Sequence, residues 1–240
     1  MTSAEISNLS PLPEGMSLQP SKNDLEKFII QIRGDLHFAK VHATLYPKVV
    51  ATRTETGKNV TLQDLNYHIY LFNLIVVSLV SNLEDFMEMT CRRALLQRHN
   101  LFGQFNPSVS WKQIPASGNI DAIWEALADQ VLASLTSGKL HTFSGVFKKL
   151  GVKFPGPRSK QGKALEELIR RRNLIVHNRN KPDKQYLEII SSPKTYHSGG
   201  LAIDISYIEQ AGDLLINISR DIVDQLVKKR TLKSSELEVS

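Results

Sequence analysis

Residues 62–98 read LQDLNYHIYLFNLIVVSLVSNLEDFMEMTCRRALLQR, and no Pro or Gly interrupts the chain between Thr61 and Gly103. Thr61 and Asp64 provide a helix start of the capping-box kind. The spacing predicts one helix from Leu62 to about Arg98, roughly 50 Å long at 1.5 Å per residue. A helix of that length needs several neighbours or a second subunit to bury its apolar positions. Its most apolar part, LFNLIVVSLVSNL at 71–83, is broken by Asn73, Ser78, Ser81 and Asn82. A spanning helix needs about 20 apolar residues, so this run reads as a core helix and no membrane partner is expected.

Working outward, the remaining pattern is also helical. Ser21 and Asp24 open a first helix whose apolar positions Leu25, Phe28, Ile29, Ile32, Leu36 and Ala39 continue to about Tyr46, where Pro47 is expected to stop it. TRTETGKN at 52–59 reads as a loop, as does 100–118 with its Gly and Pro residues. Further helices are expected at 119–137, at about 140–150, and from about Lys160 to Val176. QYLEII (185–190) and LAIDI (201–205) lean towards strand and predict a small β-hairpin. Ser206 and Glu209 then begin a last helix that ends near Lys229. The domain reading is a flexible leader at 1–20, one helical domain at 21–230 and a disordered tail at 231–240. The fold class is mainly α, an up-and-down helical bundle with one long helix and the hairpin before its last helix.

Composition narrows the function. The chain has 240 residues, is 41% hydrophobic and 22% charged, and carries one cysteine, Cys91. One cysteine forms no internal disulfide and no cysteine-based zinc site, and the polar N-terminus has no signal-peptide pattern. These features predict a soluble cytoplasmic protein. The net charge is +6. Between Arg158 and Lys184 stand nine Lys or Arg against three Asp or Glu, and the rest of the chain balances. A local surplus of that kind suits a polyanion such as RNA, and suits equally a solvated basic helix face. The local signatures of zinc proteases, zinc modules, serine hydrolases and calcium loops are missing, so no metal and no cofactor is expected. GPRSKQGKA at 156–164 departs from a phosphate-binding loop in its glycine spacing and has Ala164 where a hydroxyl is needed. His37 and His42 lack the acidic companions of a metal site.

The basic segment contains RRRNLIVHN at 170–178. Arg172 precedes His177 by five positions, and Asn173 follows the arginine directly. Spacing alone is weak, because Arg92 and Arg93 reach His99 in a similar way. The context at 172–177 is richer: a polar Asn173, an apolar LIV that continues the helix, and the basic surplus. This pattern resembles the R-x4–6-H motif of the HEPN superfamily of helical domains. VSLVSNLEDFMEMTCRRAL at 77–95, with Ser81 and Glu84, resembles the long helix of its RiboL-PSP-like branch. The resemblance implies a metal-independent endoribonuclease that works as a homodimer, with two motifs facing across one cleft. It also implies a toxin or phage-defence role and a restraining antitoxin or regulatory protein. Arg172, Asn173 and His177 are then the catalytic candidates, with Glu84 and Asn178 supporting. Arg170, Arg171 and Arg179 would hold the RNA backbone. The alternative is a catalytically silent helical module that binds RNA, a nucleotide or a protein.

The chemistry is coherent on its own terms. Metal-free RNA cleavage needs proton transfer at the 2′-hydroxyl and the leaving 5′-oxygen, together with a cation on the phosphorane. A histidine serves the first need near neutrality and an arginine the second. On a regular helix Arg172 lies about 140° around from His177, a demand that a two-copy site relaxes.

Overall fold

The computed structural model describes residues 22–55, 62–108, 119–133, 140–191, 193–196 and 199–237. The expected leader at 1–20 and the capping residues Ser21 and Thr61 lie outside them. The elements are α1 (Lys22–Glu55), α2 (Leu62–Gln97), a 3₁₀ turn (His99–Gln104), α3 (Ile120–Ala133), α4 (Leu140–Lys149), α5 (Lys160–His177), α6 (Lys184–Ile189) and α7 (Ile205–Leu237).

The long second helix is present, with 36 residues. It is the element around which the others gather, touching α1, α3, α4, α5 and α7. Leu79, Leu83, Met87 and Leu95 on α2 are fully buried, against Phe28 and Ile32 of α1, Leu165 and Leu168 of α5, and Ile208, Leu215 and Ile222 of α7. Truncating one such leucine to alanine removes about 2–5 kcal/mol. The stretch Ile69–Gln97 is long and apolar enough to cross a membrane by length and composition. That is more than the 71–83 run alone suggests, and here its apolar side is the core of the bundle.

Contacts fix the helix directions. Asp24 pairs with Arg93 and Asp35 accepts from Ser78 at 2.8 Å, so α1 and α2 are antiparallel. Glu84 meets Arg172 and Asn73 meets Asn180, so α2 and α5 are antiparallel too. Lys40 pairs with Glu209 at 2.8 Å, and Leu36 packs against Gly212, where an added Cβ would lie 2.8 Å from a Leu36 methyl carbon. Gly212 thus lets α1 and α7 approach closely.

Three sequence expectations are corrected. First, α1 does not stop at Pro47 but runs through it to Glu55, which also shortens the expected loop at 52–59. Pro47 is exposed, and on that side the carbonyl deprived of its helical donor can be met by solvent. Second, segments 185–190 and 201–205 do not pair as a hairpin. Residues 184–189 are a helix, because Asp183 caps it through the Tyr186 amide at 2.8 Å and the Tyr186 ring is buried with Leu174 and Leu201. The 201 segment contributes only an isolated antiparallel bridge between Thr195 and Leu201. Third, the last helix is capped by Asp204, whose side chain accepts from the Tyr207 amide at 2.8 Å, and not by Ser206. It continues to Leu237, beyond the Lys229 end and into the expected tail.

Candidate active site

The motif helix begins at Ser159, whose hydroxyl accepts from the Gly162 amide at 2.9 Å. An added Cβ on Gly162 would fall 1.9 Å from the Gly156 carbonyl oxygen. The GPRSKQG loop is therefore folded tightly on itself as a helix cap.

The three arginines of RRRN leave α5 in three directions, as 100° per residue demands. Arg170 is half-buried and donates to Glu166, one turn back, and to Gln185 of α6 at 3.2 Å. Arg171 turns inward and is 7% exposed. Its Nε donates to Glu167 at 2.8 Å, Nη1 to the Ala202 carbonyl at 2.9 Å, and Nη2 to the Tyr186 hydroxyl at 2.8 Å. Tyr186 and Tyr207 in turn donate to Glu167 at 2.5 and 2.7 Å, and the Arg171 guanidinium lies 4.2 Å over the Tyr207 ring. Burial first, and then Glu167, push both phenols above their ordinary range, so they stay protonated and donating. The role assigned to Arg171 in gripping RNA is thereby corrected: the side chain is buried and all three of its nitrogens donate inside the fold.

Arg172 faces the other way, towards α2. Its Nη2 donates to Glu84 Oε2 and its Nη1 to Asn173 Oδ1 at 2.9 Å. The two charged side chains are about one-fifth exposed, so the pair lies at the mouth of the α2–α5 seam. Arg172 Nε and Glu84 Oε1 make no hydrogen bond. Glu84, expected as a supporting residue, therefore holds Arg172. His177 ends the same helix and is exposed, with no hydrogen bond joining it to Arg172. Asn178 caps the helix and its side chain donates to the Lys181 carbonyl at 2.9 Å, so its support is structural. Arg179 is exposed, as a backbone-binding residue would need to be.

The competing spacing near His99 is absorbed by the fold. Arg92 pairs with Glu125 at 2.7 Å and with Asp129, and Arg93 pairs with Asp24. The His99 ring stacks on Trp124 with centroids 4.1 Å apart, and burial lowers its pKa. Among the described residues, no three His, Cys, Asp or Glu side chains converge as a metal-binding group.

Sequence reasoning missed Asn73 and Asn180, whose side chains join α2 to the turn after His177 at 3.1 Å. A signal was present in the N-R-N run at 178–180, since Asn favours turns and helix ends. It also missed the seam of Asp35, Ser78 and Asn82. No family model, curated protein or solved structure matches the chain.

Proposed function

We propose that the protein is a metal-independent endoribonuclease of the HEPN type that acts as a homodimer. The observation that carries the reading is the Glu84–Arg172 pair, with Asn173 bonded to Arg172 and an exposed His177 at the end of the same helix. A guanidinium held by a carboxylate and an amide is pre-oriented for a phosphate oxygen, and it keeps its charge at any working pH. His177 would exchange protons with the 2′-hydroxyl and the leaving 5′-oxygen, giving a 2′,3′-cyclic phosphate. Exposed Arg179, Lys181 and Lys184 supply backbone affinity that weakens with salt.

Within one chain Arg172 is turned to Glu84 and not to His177, so a complete site needs a second motif. The exposed Phe38 and Leu45 of α1 and Tyr67, Tyr70 and Leu74 of α2 offer apolar surface for a second copy. Activity as a toxin or defence effector, restrained by a partner protein, is part of the same proposal. The unpaired His177 also favours a second reading, a silent module that binds RNA through the same basic surface.

RNA digestion in excess EDTA separates the two. The ribonuclease reading predicts cleavage by wild type with cyclic phosphate ends, and its loss in His177→Ala. RNA binding without cleavage, from protein shown free of bound inhibitor, would establish the silent module instead.

A further inference from the structure

The turn after His177 holds two consecutive non-glycine residues in the left-handed region, Arg179 at φ 51° and Asn180 at φ 60°. L-residues other than Gly avoid this region at a cost of about 1–2 kcal/mol each, with Asn more tolerant than Arg. Such a conformation persists only where its surroundings over-determine it, and it marks places where a fold holds something in position.

The surroundings here are specific. Asn180 is 4% exposed. Its amide N–H donates to the Leu174 carbonyl at 2.9 Å, which ties it to the last turn of α5. Its carbonyl accepts from the Leu201 amide at 2.9 Å. Its side-chain Nδ2 donates to the Leu201 carbonyl at 2.8 Å and to Asn73 Oδ1 on α2 at 3.1 Å. The motif helix is thus pinned to α2 twice, at Glu84–Arg172 and at Asn73–Asn180, and His177 falls between the pins.

We infer that Asn180 is the positioning residue of the site: its buried amide locks the left-handed turn so that His177 and Arg179 keep one orientation relative to the Glu84–Arg172 pair. Asn180 touches no substrate in this account and acts only through the backbone it fixes. The catalytic consequence rests on the ribonuclease reading; the anchoring itself does not.

Two variants test it. Asn180→Gly keeps the left-handed backbone accessible and removes both side-chain bonds, while Asn73→Ala removes the α2 pin from the other side and carries the test if the first fails to fold. Each is expected to lower kcat for RNA cleavage in EDTA by about tenfold or more, with KM within about threefold, as for a misplaced catalytic group. In 15N relaxation, the order parameters of the amides at 177–181 should drop from about 0.85 to below about 0.6, with the buried turns of α2 unchanged. Wild-type kcat in both variants, or a kcat that falls only as far as the folded fraction falls, would overturn the inference. If wild type cleaves no RNA, the ribonuclease reading fails alone and the relaxation result decides: unchanged order parameters at 177–181 would overturn the anchoring.

Discussion

Arg171 and Arg172 are neighbours in sequence and opposites in the fold. Arg171 closes an inner network in which Glu167, Tyr186 and the Ala202 carbonyl accept from its guanidinium, while the Tyr207 ring lies under it and the Tyr207 hydroxyl donates to Glu167. Arg172 stands at the opening of a seam, paired to one carboxylate and one amide, with about one-fifth of its side chain exposed. A single 100° step around α5 converts the same side chain from a structural clamp into a group with capacity for a ligand. Electrostatic surplus read from sequence does not separate the two; the partners on other helices do.

The largest expected effect lies on the inner side. Arg171→Met should cost about 3–5 kcal/mol in urea denaturation, because the largely enclosed Glu167 would lose its cation. Arg172→Met should cost only about 1 kcal/mol, since its pair is partly exposed. Equal losses for the two variants would erase the distinction between clamp and site.

Activity should follow the reverse order. His177→Ala is expected to slow RNA cleavage by about 10²–10⁴-fold, the range for a lost general acid or base. Its melting temperature should stay within about 2 °C of wild type, because the side chain is exposed. Glu84→Gln should fall between, with cleavage reduced about tenfold through looser control of Arg172.

The Asp35 seam sharpens the comparison from a third direction, as a carboxylate held by the neutral donors Ser78 and Asn82. Burial raises the Asp35 carboxyl above its ordinary value of 3.8, against the opposing bond from Ser78. The folded protein then binds this proton more tightly than the unfolded chain does. Its contribution to stability falls as pH rises from 3.8 through the raised folded value. Asp35→Asn should therefore raise the melting temperature by at most a few degrees at pH 7 and leave it unchanged at pH 3. A loss at pH 7 would mean that the ionised carboxylate is stabilising. The smallest effect is chemical: buried Cys91, its thiol pushed up by burial and then by Glu88, should resist alkylation at pH 8 until the chain unfolds.

Much of the bundle was legible where one local signal was strong. The uninterrupted apolar period of 62–98 predicted α2 to within a residue of its end, and the Lys160 start of α5 follows from the break around Gly156 and Pro157. Local signals failed where tertiary packing decided. Tyr186 has a strand-forming side chain, yet burial with Leu174 and Leu201 and the Asp183 cap make its segment helical. Pro47 is a stop in an isolated helix and is tolerated on an exposed side. In the candidate site, the context of the motif singled out Arg172 and His177 but could not show which arginine turns inward. That depends on α6 and on the 202–207 segment, both distant in sequence.

The central claim is that Arg172 is a working group and not a structural one. Its most direct test is Arg172→Ala, with cleavage of an end-labelled RNA in excess EDTA followed alongside thermal unfolding of the same sample. The account predicts a folded protein, melting within a few degrees of wild type, that cleaves at least about 100-fold more slowly. Cleavage at the wild-type rate by that folded variant would contradict it.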